Sequence, residues 1–235
     1  MSVLNQLVEM EREVFLWLNS MHTPYTDAFF YLFTSTHTWI GVWVLLVMLL
    51  FYKQPAKEAV LVLIALLFSL LVCDQLTSHI IKPYFMRPRP THFPEIKELV
   101  KIVYEYRGAL YGFVSGHSAN YFSLAMFTSL LFRDKRYSVL IFFLATLIAY
   151  SRIYIGVHFI TDVLPGAAIG LLIGWFTYWL YSKLRFRWIP GARTTPPSRV
   201  FAPILRSWVF VLLFFLLFTA SASYAVMKMA MRIAS

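Results

Sequence analysis

The chain has 235 residues, 60% hydrophobic and only 14% charged, with a mean hydropathy of +0.67. That balance excludes an ordinary water-soluble domain and predicts an all-α, polytopic membrane bundle. The formal net charge of +10 is spread over loops between apolar runs rather than gathered in one stripe, which argues against nucleic acid and for anionic lipid headgroups at the bilayer as partners.

Residues 1–20 repeat apolar side chains at Leu4, Leu7, Val8, Phe15 and Leu18, the pattern of a helical face. Glu9, Glu11 and Glu13 fall where a cleavable signal peptide needs its apolar core, so none is expected. The segment reads as an amphipathic helix that either lies on the membrane or packs onto the protein's own spans. The first span is short, Trp39 to Tyr52, and extending it upstream takes in the polar run Thr34-Ser35-Thr36-His37-Thr38. A longer helix with a partly buried polar turn reconciles the two.

Further apolar segments run over about 58–81, 118–132, 137–153, 162–182 and 203–226. Together they predict about six spans in one membrane-embedded domain, at roughly 20 apolar residues each. Cys73, the single cysteine, sits inside an apolar run and reads as a buried structural thiol, and no histidine pair has metalloprotease spacing, so no metal is expected. Asp74 lies eight residues before Lys82 with Ser78 between, and either pairs with a site cation or is a plain interfacial residue. Gly166, Gly170 and Gly174 clear one strip of the fifth segment for close packing, within the bundle or across a dimer.

The connections alternate in character. Those at 53–57, 133–136 and 183–206 are short or basic, with Lys53, Lys57, Arg133, Lys135, Arg136, Lys183, Arg185, Arg187, Arg193, Arg199 and Arg206, and the positive-inside rule makes that side cytosolic. The loops at 82–117 and 153–161 then lie outside, in the periplasm if the membrane is a Gram-negative inner membrane.

Those outer loops hold the chemistry. His158 and Asp162 are four apart, so on a helix the carboxylate receives one imidazole N–H and leaves the other nitrogen free as a nucleophile toward phosphorus. Lys82, Arg89 and Arg152 supply fixed cations for the charge that gathers on nonbridging oxygens, the arginines as two-pronged grips and the lysine as a point charge. Ser115 and Gly116 offer a hydroxyl and an unobstructed backbone at the start of a helix. His117 stands beside that cradle as proton donor to the leaving oxygen and then as base for water, which predicts a bell-shaped pH dependence. Any of these alone is an interfacial or turn residue; three segments on one side with complementary chemistry are not.

These residues resemble the type 2 phosphatidic acid phosphatases (PAP2), which share a catalytic core with acid phosphatases and vanadium haloperoxidases. Lys82 through Arg89-Pro90 meets the lysine, six residues, Arg-Pro motif. Ser115-Gly116-His117 meets the second motif, with Val114 where proline is usual, and Ser151-Arg152, His158 and Asp162 meet the third in full. The likeness covers about residues 25–182, leaving 203–226 as an added span. It implies the same nucleophile, acid and phosphate-binding roles, no cofactor, and substrates such as undecaprenyl diphosphate, phosphatidylglycerol phosphate, phosphatidic acid or phosphorylated lipid A. A phosphotransferase that hands the group to another lipid, or a non-catalytic lipid carrier with the same cationic pocket, stays open as an alternative.

Overall fold

A computed structural model describes residues 3–234 of the chain; the side chain of Leu4 lies outside the described residues. Its helices are α1 Val3–Asn19, α2 Pro24–Thr34, α3 Thr36–Phe51, α4 Ala56–Asp74, α5 Lys82–Phe85, α6 Gly116–Phe132, α7 Lys135–Tyr154, α8 Ile160–Trp188 and α9 Pro197–Ala234. A π-helical stretch, Gln75–Ile81, joins α4 to α5, and Pro90–His92 forms one 3₁₀ turn. The described residues contain no β-strand beyond an isolated antiparallel bridge between Pro88 and Tyr111.

Four stretches are long and apolar enough to cross a membrane: Ala56–Phe85, α7, α8 and most of α9. Helices α2 and α3 qualify only as a pair, bent by 51°, which raises the number to five. The segment expected at 118–132 is α6, only 17 residues long and enclosed by α4, α7, α8 and α9. Length and composition thus support four or five spans where about six were expected.

The bend between α2 and α3 has a local cause. Thr23 caps α2 in a reciprocal capping box with Thr26 and Pro24 occupies the first turn, while Ser35 takes an extended conformation (φ −70°, ψ 125°) that ends one helix and opens the next. The polar run at 34–38 is this break, and its Thr34, Ser35, Thr36 and His37 border a cavity. Below it, Phe33, Trp39, Phe127, Trp208 and Phe215 are buried in one apolar core, with Trp39 Nε1 donating to the Phe33 carbonyl at 2.7 Å.

The glycine strip is spent inside the chain. A Cβ at Gly166, Gly170 or Gly174 would collide with the backbone carbonyl oxygens of Ser115, Ala119 and Ser123, so α8 lies directly on α6. Cys73, on α4, is fully buried, and its thiol points at the Ala119 carbonyl 3.6 Å away. Helix α1 packs on α7 and α8 through buried Phe15 and Asn19; the Asn19 amide donates to the carbonyls of Tyr154 (2.7 Å) and Lys101 (3.0 Å). Its opposite side, Leu7, Met10, Val14 and Trp17, is exposed.

Candidate active site

Each motif arrives at one end of the bundle by its own device. The π-helical stretch winds the chain more widely than an α-helix, changing the face on which Lys82 emerges. A Cβ on Gly116 would stand 3.7 Å from Lys82 Nζ and 3.2 Å from Thr77 Oγ1, which puts the lysine over the start of α6. Asp74 bonds elsewhere, although its charge reaches Lys82. It is half exposed, accepts from Ser78 Oγ at 3.1 Å and lies 3.9 Å from His79 Nδ1.

The chain then runs extended through Pro88, where Arg89 N–H donates to the Leu110 carbonyl (2.9 Å) and Gly112 N–H to that of Arg87 (2.8 Å). This short ladder fixes the Arg89 guanidinium: Nε donates to the Tyr111 carbonyl at 3.1 Å, and Gly108, at φ +69°, leaves room where a Cβ would sit 2.8 Å from Nη1. Ser115 is the N-cap of α6 and is fully buried, its hydroxyl accepting from Ser118 N–H at 3.4 Å. Its own N–H donates to the Asp162 carbonyl at 2.9 Å, tying the second motif to the third.

His158 and Asp162 differ from expectation in one respect. The chain is not yet helical at His158: α8 starts at Ile160, with Phe159 as N-cap in an extended conformation. Asp162 is thus the third helical residue, and its Oδ2 accepts the Phe159 N–H at 2.9 Å as an N-terminal carboxylate does. His158 stands just outside the helix and still reaches the carboxylate, Nδ1 to Oδ2 at 3.4 Å. Its Nε2 faces Arg89 Nη1, also at 3.4 Å. A guanidinium only donates, so Nε2 is the acceptor and the ring proton belongs on Nδ1, toward Asp162.

Arg152, at the end of α7, completes the cradle. Nη1 donates to Thr34 Oγ1 at 2.9 Å, Nη2 to the Tyr106 hydroxyl at 3.4 Å, and Nε is buried without a partner. Burial, then the fields of Arg152, His158, Arg89 and Lys82, holds His117 well below its ordinary 6.5, so the charged ring expected of a proton donor is disfavoured until an anion sits among those cations. Thr34, Ser35, His37, Tyr106, His117 and Arg152 border a cavity of about 270 Å³ that opens beside the α2–α3 bend. Burial, then the positive fields of Arg89, Arg152 and Lys82, holds His158 well below its ordinary value of 6.5, so the ring is neutral at neutral pH. Burial, with Arg152 next, brings Arg89 down to about 10, still charged.

All eight residues singled out from the sequence therefore converge. Reasoning from motifs missed Thr34 and Tyr106, which touch Arg152, and Arg87, which touches Asp162. Arg87 had one signal, its place in a repeated Arg-Pro-Arg-Pro; Tyr106 had none beyond its loop, Thr91 to Tyr111. For the Tyr106 phenol, burial pushes its pKa up, but Arg152 and Arg89 outweigh that and the net direction is down. Among the described residues no group of three or more His, Cys, Asp or Glu side chains is arranged to hold a metal ion.

Residues 65–186 match the PAP2 superfamily. A lipid A 4′-phosphatase from Porphyromonas gingivalis is 47% identical over 90% of both chains, and one from Bacteroides thetaiotaomicron is 33% identical over 77% of this chain and 81% of its own. Among solved structures, Aquifex aeolicus LpxE superposes with a TM-score of 0.54 at 27% identity, covering 70% of this chain and 92% of the other. Motifs, geometry and a match over more than half the length agree, and the chain belongs to the PAP2 superfamily as an integral-membrane lipid phosphatase.

Proposed function

We propose that this protein removes the 4′-phosphate of lipid A at the outer face of a bacterial inner membrane, by way of a phosphohistidine at His158. The observation that carries the chemistry is the His158 ring itself, with Nδ1 against Asp162 and Nε2 turned to the guanidinium that would grip the phosphate. Two relatives bearing the name lipid A 4′-phosphatase, aligned along most of their length, support the substrate. Clustering of Arg133, Arg185 and Arg193 around one cavity, away from the site, supports the orientation.

In this mechanism His158 Nε2 attacks phosphorus and the bond from phosphorus to the sugar oxygen breaks. His117 protonates that oxygen as it leaves, while Asp162 stabilises the imidazolium-like charge on the phosphorylated ring. Arg89 and Arg152 hold nonbridging oxygens, Lys82 adds field, and Ser115 with the first amides of α6 completes the cradle at Gly116. Water, deprotonated by His117, then attacks the phosphohistidine and releases inorganic phosphate.

The test is phosphate release by purified protein from a panel: bis-phosphorylated lipid A, its 1-phosphate and 4′-phosphate forms, phosphatidylglycerol phosphate, phosphatidic acid and undecaprenyl diphosphate. Mass spectrometry should show loss from the 4′ position, orthovanadate should inhibit, and a chelator should have no effect. Preferential turnover of another lipid, or transfer of the group to a second lipid without free phosphate, would replace the reading.

A further inference from the structure

The Asp162 carboxylate has a second set of partners that the reaction above does not use. Oδ2 is taken by Phe159 N–H and His158, but Oδ1 accepts from Arg87 Nη1 at 3.0 Å. Arg87 is held in turn from α1: its Nη2 donates to Glu11 Oε2 at 2.6 Å, and Nη1 also donates to Thr161 Oγ1 at 2.6 Å. The Thr161 hydroxyl closes the ring by donating to the other Glu11 oxygen.

The same helix steadies the other donor. The Phe159 ring packs edge-on against Phe15 of α1, with centroids 5.1 Å apart, and the Arg87 guanidinium lies over that ring at 4.5 Å. Glu11 and Phe15 are one turn apart on the packed face of α1. So both non-histidine donors on Asp162, the Arg87 guanidinium and the Phe159 amide, rest on one helix remote in sequence from the motifs.

We infer that Arg87, gripped by Glu11, is a positioning residue that sets the Asp162 carboxylate against His158 and makes α1 part of the catalytic apparatus. The inference rests on the phosphohistidine reading above. The geometry supports it because Arg87 bonds the far carboxylate oxygen, Asp162 Oδ1, and does not border the cavity that Arg152 and His117 line, while Arg89 meets the ring at Nε2. A bidentate guanidinium bridging two carboxylates fixes orientation as well as charge, and a carboxylate that drifts by an ångström misaims the imidazole it holds.

The experiment uses the full chain in detergent micelles with bis-phosphorylated lipid A, scoring kcat, KM and orthovanadate inhibition. Arg87→Gln should lower kcat about 30- to 100-fold with KM and the vanadate constant within about twofold, since the phosphate cradle is untouched. Arg87→Lys should recover part of the loss, and isosteric Glu11→Gln should cost about fivefold in kcat. In an Asp162→Asn background Arg87→Gln should cost less than about twofold more, because the two act on one ring. The inference is overturned if Arg87→Gln keeps kcat, if it raises KM instead, or if the Asp162 and Arg87 losses multiply independently. A wild type that releases no phosphate from any lipid overturns the phosphatase reading as well, whereas an active wild type indifferent to Arg87 and Glu11 overturns the relay alone.

Discussion

The two ends of the bundle bury charge in opposite ways. Away from the site, Arg185 of α8 and Glu58 of α4 are both almost fully buried and satisfy each other: Arg185 Nε reaches both Glu58 oxygens at 3.0 and 2.9 Å, and Nη2 makes a 2.6 Å bond to Oε1. Arg185 Nη1 is used up on the Ala192 carbonyl and the Tyr181 hydroxyl reaches Glu58 at 3.4 Å. At the site end, buried Arg89 and Arg152 stand with Lys82 around neutral partners, and the one buried carboxylate among them, Asp162, is already taken by Arg87 and His158, while half-exposed Asp74 acts on Lys82 from the edge. Balanced burial marks a structural clamp. A surplus of positive charge, which costs energy until an anion enters, is what the proposed phosphate cradle requires.

Removing the proposed nucleophile tests the functional end most sharply. His158→Ala should reduce phosphate release by at least about 10³-fold while leaving the thermal midpoint in detergent nearly unchanged. Loss of folded protein instead would make the site end structural after all. At the other end the signature inverts. Glu58→Ala leaves Arg185 buried and unpaired, so unfolding in detergent should show a loss of about 3–5 kcal/mol, with kcat per folded molecule preserved.

Smaller changes sharpen the contrast. Arg89→Lys, which trades a fork for a point, should lower kcat/KM about 10- to 100-fold at unchanged stability, and Gly108→Ala, which crowds the guanidinium, should do the same while costing about 1–2 kcal/mol of stability for a side chain at φ +69°. The pH response should be slighter still. Because the surrounding cations and burial hold His158 well below 6.5, the neutral ring persists as pH falls through that value. Between about pH 7.5 and 6, kcat/KM corrected for substrate titration should therefore change less than about twofold on account of this group. An acidic limb centred near 6.5 would mean the site lacks its excess field.

How much of this was legible beforehand varies with the physics involved. The motif residues were readable because phosphoryl transfer demands particular groups at particular spacings, and Lys82, Arg89, Ser115, Gly116, His117, Arg152, His158 and Asp162 all gather. The three glycines of α8 were readable as a packing strip because only a missing side chain permits such an approach, but which neighbour they meet is a tertiary fact. The helical spacing of His158 and Asp162 was only a condition, and the pairing forms without it: α8 starts at Ile160, with the Asp162 carboxylate capping it and His158 outside. Glu11 was invisible as a site neighbour: its significance depends on α1 folding back across more than seventy residues of chain to meet Arg87. The periodicity of Leu7, Val8, Phe15 and Leu18 did announce the helix, but not which side packs: Phe15 is buried while Leu7 is exposed beside Met10, Val14 and Trp17.

The backbone contact between α6 and α8 also decides where the protein can yield. With glycine against carbonyl at three successive turns, the helices bearing His117 and Asp162 act as a single beam, and among the described residues the one crossing pair bent at a break is α2 and α3 at Ser35. A bilayer that thins, thickens or bulges around a bulky headgroup can be met by α3 turning about that joint without prying His117 and Asp162 apart.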